Sequence, residues 1–188
     1  MATSNSSCEL APLVRFANGS ANVLVASDVA ARGLDIDAVD VVFNHSLPGQ
    51  PEVYVHRIGR TGRGGEVGRA ISLVADRDMN LLHDIEAFID QGPMSVLQQP
   101  DQSPTGPVPE PKYTTLEING GRRHKLRPGD ILGALTANSA ITGAVVGKID
   151  LFDQSTFVAV HTSLAAEALR QLNQHKVKGR VLRARRAI

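Results

Sequence analysis

The sequence predicts an α/β domain on a short parallel sheet, followed by an α+β domain of order βαββαβ. Three observations lead there. Residues 23–26, 39–43 and 70–74 are short, continuous apolar runs alternating with helical patterns; such runs suit parallel strands covered on both faces. Residues 91–111 hold six of the ten prolines and no apolar periodicity, which marks a semi-extended linker. Beyond it the patterning changes to alternating strands and amphipathic helices. A length of 188 residues accommodates two small cores.

In the first domain a helix is expected after Pro51, a favourable first-turn residue. A second is expected from Asp76 as N-cap, with Met79, Leu82, Ile85 and Phe88 or Ile89 on one face. After the linker the pattern predicts a strand at 114–119, a helix at Pro128–Thr136, strands at 148–152 and Thr156–His161, a helix at 163–174 and a strand at 181–184. That order is the ferredoxin-like arrangement, which includes the RNA recognition motif. Fold alone does not assign function.

Charge is distributed unevenly. Residues 1–111 carry 7 Arg, no Lys and 14 carboxylates (7 − 14 = −7); residues 112–188 carry 13 Lys and Arg against 5 carboxylates (13 − 5 = +8). A polyanion is therefore expected to bind the second domain. Cys8 is the one cysteine, which excludes an intramolecular disulfide and points to a reducing cytosol; no Cys/His spacing suggests a structural metal. No apolar run reaches the ~20 residues of a membrane span, and the first residues lack signal-peptide character, so a soluble, cytoplasmic protein is expected. His45, His83, His124, His161 and His175 are scattered without ligand spacing.

Two strings in the first domain carry chemistry. Directly after the 23–26 run comes SDVAARGLD at 27–35, and about twenty residues later HRIGRTGR at 56–63. Polar groups at the C-terminal edge of a parallel strand are well placed for a phosphate or a nucleic-acid backbone. Arg60 and Arg63, three apart, would share one helix face and present guanidinium forks to a polyphosphate.

These strings resemble motifs V and VI of the DEAD-box RNA helicases, with Ser27 in place of the usual Thr. The resemblance implies a RecA-like domain in which Arg60 and Arg63 act as arginine fingers toward the γ-phosphate of ATP. It further implies that Asp35 contacts the ribose or the inter-domain site, that Arg32 and His56 couple ATP to RNA, and that Ser27, Asp28 and Gly33 line the RNA-backbone path. ATP and magnesium are implied for the family, yet this chain alone is expected to bind neither. Gly143-Ala144-Val145-Val146-Gly147-Lys148-Ile149 falls one residue short of a Walker A loop and ends in Ile, and no DEAD string occurs. The domain is expected to be partial: family members carry further elements before the stretch at 13–20, and residues 1–12 resemble nothing in the family. A half-built sheet exposing apolar surface should self-associate.

Residues 112–122, 125–135, 147–150 and 176–180 resemble the C-terminal RNA-binding domain of the DbpA-type members of that family. The division expected is an atypical segment 1–12, a partial helicase domain 13–90, a linker 91–111 and an RNA-binding domain 112–188. The resemblance implies a 23S ribosomal RNA hairpin as target and a role in assembling the large ribosomal subunit. On the second domain the usual stacking platform is depleted: Glu117 takes an aromatic position, Ser155 another, and Phe157 alone should point outward. Stacked bases contribute ~1–3 kcal/mol each, so recognition should rest on charge and shape. The candidate contacts are Lys112, Tyr113, Arg122, Arg123, Lys125, Arg127, Phe157, Lys176, Lys178, Arg180, Arg183, Arg185 and Arg186. The alternative is an RNA-binding module without ATPase activity, its α/β remnant serving as a docking or dimerisation surface.

Overall fold

The computed structural model describes residues 7–28, 39–65, 67–98, 106–137 and 140–187. They fall into two compact units, one spanning Ala26 to Gly106 and the other combining the residues up to Val25 with those from Pro107 onward. The expected boundary at residue 13 therefore differs from the grouping in space: residues 13–25 pack with the second domain.

In the α/β unit, β1 (Val41–Asn44) and β2 (Arg69–Ser72) pair in parallel, with Val42 opposite Ala70 and Phe43 opposite Ile71. Pro51 opens α2 (Pro51–Ile58), where its missing N–H leaves no intrahelical bond unmade. Helix α3 (Met79–Ile89) packs against α2, and Leu47, Tyr54 and Ile85 form a small core with Ile58, Leu82 and Ile89 around them. Two expectations need correction. Residues 23–26 form no strand; Val23 and Val25 are 77% and 93% exposed, because β1 and β2 hydrogen-bond each other and no neighbour among the described residues pairs with this run. Asp76 opens a 3₁₀ turn (Asp76–Asp78) rather than capping α3, and the buried stripe runs through Leu81, Leu82, Ile85 and Ile89, leaving Met79 and Phe88 exposed.

The other unit has the expected order: β3 (Tyr113–Ile118), α4 (Pro128–Thr136), β4 (Val146–Leu151), β5 (Thr156–His161), α5 (Ala165–Gln174) and β6 (Ala184–Arg186). All pairings are antiparallel, in the spatial order β4-β5-β3-β6. Leu116, Ile118, Val158 and Val160 point to one face and meet Ile131, Leu135, Ala168 and Leu172 of the two helices. The Gln171 side chain, buried in α5, donates to the carbonyls of Ala134 (2.7 Å) and Leu135 (2.9 Å), satisfying acceptors in the last turn of α4. Strand β6 starts later than expected because side chains hold its approach. Asn119 accepts from the Arg183 N–H at 2.6 Å and Asn173 from the Ala184 N–H at 3.0 Å, so ladder pairing begins only at Ala184. Gly143–Val145 of the Walker-like string form a 3₁₀ turn and its remainder, Lys148 included, lies within β4, so the string is not a phosphate loop.

The opposite sheet face is covered as well. Helix α1 (Ser7–Ala17) lies over it, with Ala11 and Val14 against Phe157, Phe152 and Ala187. Ile131, fully buried between helices and sheet, gauges the main core. Ile131→Ala should destabilise the full chain by ~2–5 kcal/mol, read from urea unfolding followed by circular dichroism.

Candidate nucleic-acid interface

In the α/β unit, the chain leaves α2 at Gly59, passes through Arg60 and Thr61, and enters a 3₁₀ turn at Arg63–Gly65. Arg60 and Arg63 therefore lie in the turn beyond the helix and not on one helix face, since the last α2 residue is Ile58 and Gly64 takes a left-handed φ of 68°. The Val39 N–H donates to the Arg60 carbonyl at 3.0 Å, tying this turn to the start of β1. His56 is exposed on α2. Arg32, Gly33 and Asp35 lie outside the described residues. Ser27 and Asp28 are described, and Asp28 takes part in the best-defined polar contact of the unit. Arg57 grips it with two forked bonds, Nε to Oδ1 at 2.6 Å and Nη2 to Oδ2 at 2.8 Å, and adds bonds to the Ser46 carbonyl (2.9 Å) and the Asn44 amide oxygen (3.4 Å). The bond to Asp28 raises the Arg57 pKa above its ordinary value, against the opposing effect of burial. Sequence reasoning assigned Arg57 no role; its place in one motif and Asp28's in the other was the available signal.

In the second unit the basic groups are sorted by the carboxylates. Among the described residues each of the five carboxylates of 112–188 has a cation within 4 Å: Glu117 with Arg185, Asp130 with Lys178, Asp150 with Lys148, Asp153 with Arg123 and Glu167 with Arg170. Lys112, Arg122, Lys125, Arg127, Lys176, Arg180, Arg183 and Arg186 have no carboxylate partner among the described residues. The net charge thus resides in identifiable groups.

Five of those groups sit on two loops that Lys178 connects. Arg122, Lys125 and Arg127 belong to the loop between β3 and α4; Lys176 and Arg180 flank the tight turn at Lys178-Gly179, where both residues have positive φ and Val177 and Arg180 exchange backbone hydrogen bonds. Lys178 joins the two loops by donating to the Lys125 carbonyl (2.7 Å) and the Asp130 carboxylate (3.3 Å). Asp130 also accepts the Arg127 N–H at 2.9 Å, the first cause of a carboxyl pKa below its ordinary value. Next to the first loop lies an open groove of about 460 Å³, walled by Arg122, Arg127 and Pro128 on one side and Ile149 to Phe152 on the other.

Gly121 makes this arrangement possible. The Arg122 and Arg123 N–H groups donate to the carbonyls of Phe152 (2.9 Å) and Asp153 (3.0 Å), and a side chain at 121 would strike the Phe152 carbonyl. Lys112 and Tyr113 are not part of this cluster. Tyr113 begins β3 and Lys112 precedes it, while the loop follows the strand's other end, a strand length of ~20 Å away; Lys112 sits over the Tyr113 ring, 5.4 Å from its centre. Arg185 is held by Glu117. Phe157 requires correction: it does lie on the outer face, opposite Glu117, but it is fully buried beneath α1 and offers no stacking surface.

Two protein families match this chain. Residues 115–186 match the DbpA RNA binding domain and residues 10–65 the helicase conserved C-terminal domain. The ATP-dependent RNA helicase DbpA of Escherichia coli is 46% identical over 92% of this chain and 37% of its own length. The chain matches the C-terminal part of the DbpA-type DEAD-box helicases. DbpA of Bacillus subtilis is 32% identical over 92% of this chain, which spans 40% of that relative. The chain thus covers about two fifths of these two relatives. A crystal structure of the E. coli DEAD-box protein SrmB, bound to regulator of ribonuclease activity A, is 39% identical; it covers 57% of this chain and 63% of its own, with a TM-score of 0.48. Within the family frame, the α/β unit is a partial RecA-like domain and the other an RRM-like domain.

Gly121→Ala should release the basic loop from the β4–β5 turn. The Arg122 and Arg123 amides should then lose protection in hydrogen exchange while those of β5 keep theirs.

Proposed function

We propose that this chain binds structured RNA through the joined basic loops of its second unit and serves as the RNA-targeting, arginine-finger-bearing part of an ATP-dependent RNA helicase. The observation that carries this reading is the placement of Arg122, Lys125, Arg127, Lys176 and Arg180, none with a carboxylate partner among the described residues, on two loops that Lys178 joins, the first of them held by Gly121 and Asp130. Guanidinium and ammonium groups spread over two fixed loops meet phosphates in a set geometry, which favours a folded RNA over a flexible strand. The target proposed is a hairpin of 23S ribosomal RNA in a precursor of the large subunit, on the strength of the DbpA family match.

For ATP with magnesium, Arg60 and Arg63 carry charge suited to a polyphosphate, whereas Lys148 is a strand residue paired with Asp150. The family match supports a first helicase domain as the source of the phosphate cradle.

Binding of the full chain to the ribosomal hairpin and to a scrambled hairpin, across a series of salt concentrations, tests the proposal. Selective binding is expected. The triple substitution of Arg122, Lys125 and Arg127 by Ala should weaken it and reduce the slope of log affinity against log salt by ~2, on the basis of ~0.7–0.9 per phosphate contact; an unchanged slope would place the site elsewhere. Joined to a complete first helicase domain, Arg60→Ala should lower RNA-stimulated ATP turnover by ~10³ or more. Unaltered turnover would remove the finger assignment.

A further inference from the structure

The outer face of the four-stranded sheet is where an RNA recognition motif would stack bases, and here a helix occupies it. Ala11 and Val14, three apart on α1, seat against Phe157, whose ring makes an edge contact with Phe152 at 5.7 Å between centres. Beyond the helix the chain turns through Gly19, at a φ of 75°, and locks onto the central strand. The Asn18 amide donates to the Thr115 hydroxyl at 2.9 Å, and that hydroxyl lies 2.9 Å from the Ser20 hydroxyl; Asn18, Ser20 and Thr115 are all buried. Further along, the Asn22 amide donates to the Pro109 carbonyl at 2.7 Å. Apolar contact, a buried polar lock and a surface bond follow one another in one direction along the chain, from Ala11 to Asn22.

The electrostatics of the same face favour a helix over RNA. In register with Phe157 stand Glu117 on β3 and Asp150 on β4. Their nearest cations, Arg185 and Lys148, are committed to them. A phosphate backbone crossing Phe157 would meet two carboxylates whose cations are already engaged. A helix carrying small apolar residues meets no such opposition.

We infer that this face is a protein-binding seat whose occupant is α1 of the same chain, and that RNA neither uses nor opens it. The helicase family match begins at residue 10, so the seated helix has a sequence that belongs with the neighbouring α/β unit. The α/β unit is thereby an insertion, with the RNA-binding unit holding the chain both before it, at α1, and after it, at β3. The linker at 91–111 is not the sole attachment between the two. This inference does not depend on the RNA target, because its principal readout involves no RNA.

A site-specific protease sequence replacing residues 101–105 of the full chain allows the test. After cleavage of the folded protein, the two pieces should co-elute in size-exclusion chromatography, held by α1. Val14→Asp places a carboxylate against Phe157 and should let the C-terminal piece elute alone. Thr115→Val keeps the shape of the strand and removes the polar lock; the cleaved pieces should associate about tenfold more weakly, a change that can be read even where Val14→Asp fails to fold. Separation of the unsubstituted pieces, or equal co-elution of both variants, would overturn the inference. Single-stranded oligouridylate added to the cleaved protein should leave the pieces together, and their release would identify the face as an RNA platform instead.

Discussion

Strand β3 is hydrogen-bonded along both edges, to β5 and to β6, and its residues must therefore alternate between two buried environments. Leu116 and Ile118 enter the core beneath α4 and α5. Thr115 and Glu117 face the other way, where Thr115 receives the lock from Asn18 and Ser20 and Glu117 receives Arg185. A one-residue slip would drive Glu117 into the apolar core and expose Leu116. The seat for α1, the ion pair on β6 and the exit of the basic loop at Gly121 all follow from that one register.

Local neutralisation shapes the basic surface. A net charge of +8 distributed at random would describe a diffuse cationic domain, but pairing each carboxylate with a particular cation leaves the excess concentrated where the first loop and the Lys178-Gly179 turn converge. Exposed pairs of this kind contribute little stability, so their effect is chiefly positional. Lys178 illustrates this, since its ammonium spans two elements and holds the loops at fixed separation. Recognition through such a frame suits a partner whose phosphates are themselves held in place.

The α/β unit is built differently: its described residues form a two-stranded parallel sheet over a small core of Leu47, Tyr54 and Ile85. The forked Arg57–Asp28 contact joins residues from both helicase motifs, and its geometry is the bidentate kind that a lysine could not reproduce. The two motifs are thus mechanically connected within the described part of the domain, whatever each does toward RNA or nucleotide.

The order βαββαβ, the bounds of α4 and β5, the start of α2 at Pro51 and the helicase and RNA-binding strings were all legible in the sequence, because periodicity, proline placement and contiguous motifs are local properties. The outward direction of Phe157 was equally legible, being a matter of strand alternation. Its burial was not, since that depends on a helix some 140 residues earlier in the chain arriving on the same face. The apolar run at 23–26 reads as a strand for the same local reasons that 39–43 does, yet a strand exists only with a neighbour to hydrogen-bond, and among the described residues β1 and β2 pair only with each other. The sequence by itself determined which residues are cationic and how many are in excess; only the tertiary structure decided which of them carboxylates neutralise, because ion pairing depends on distance in space and not along the chain.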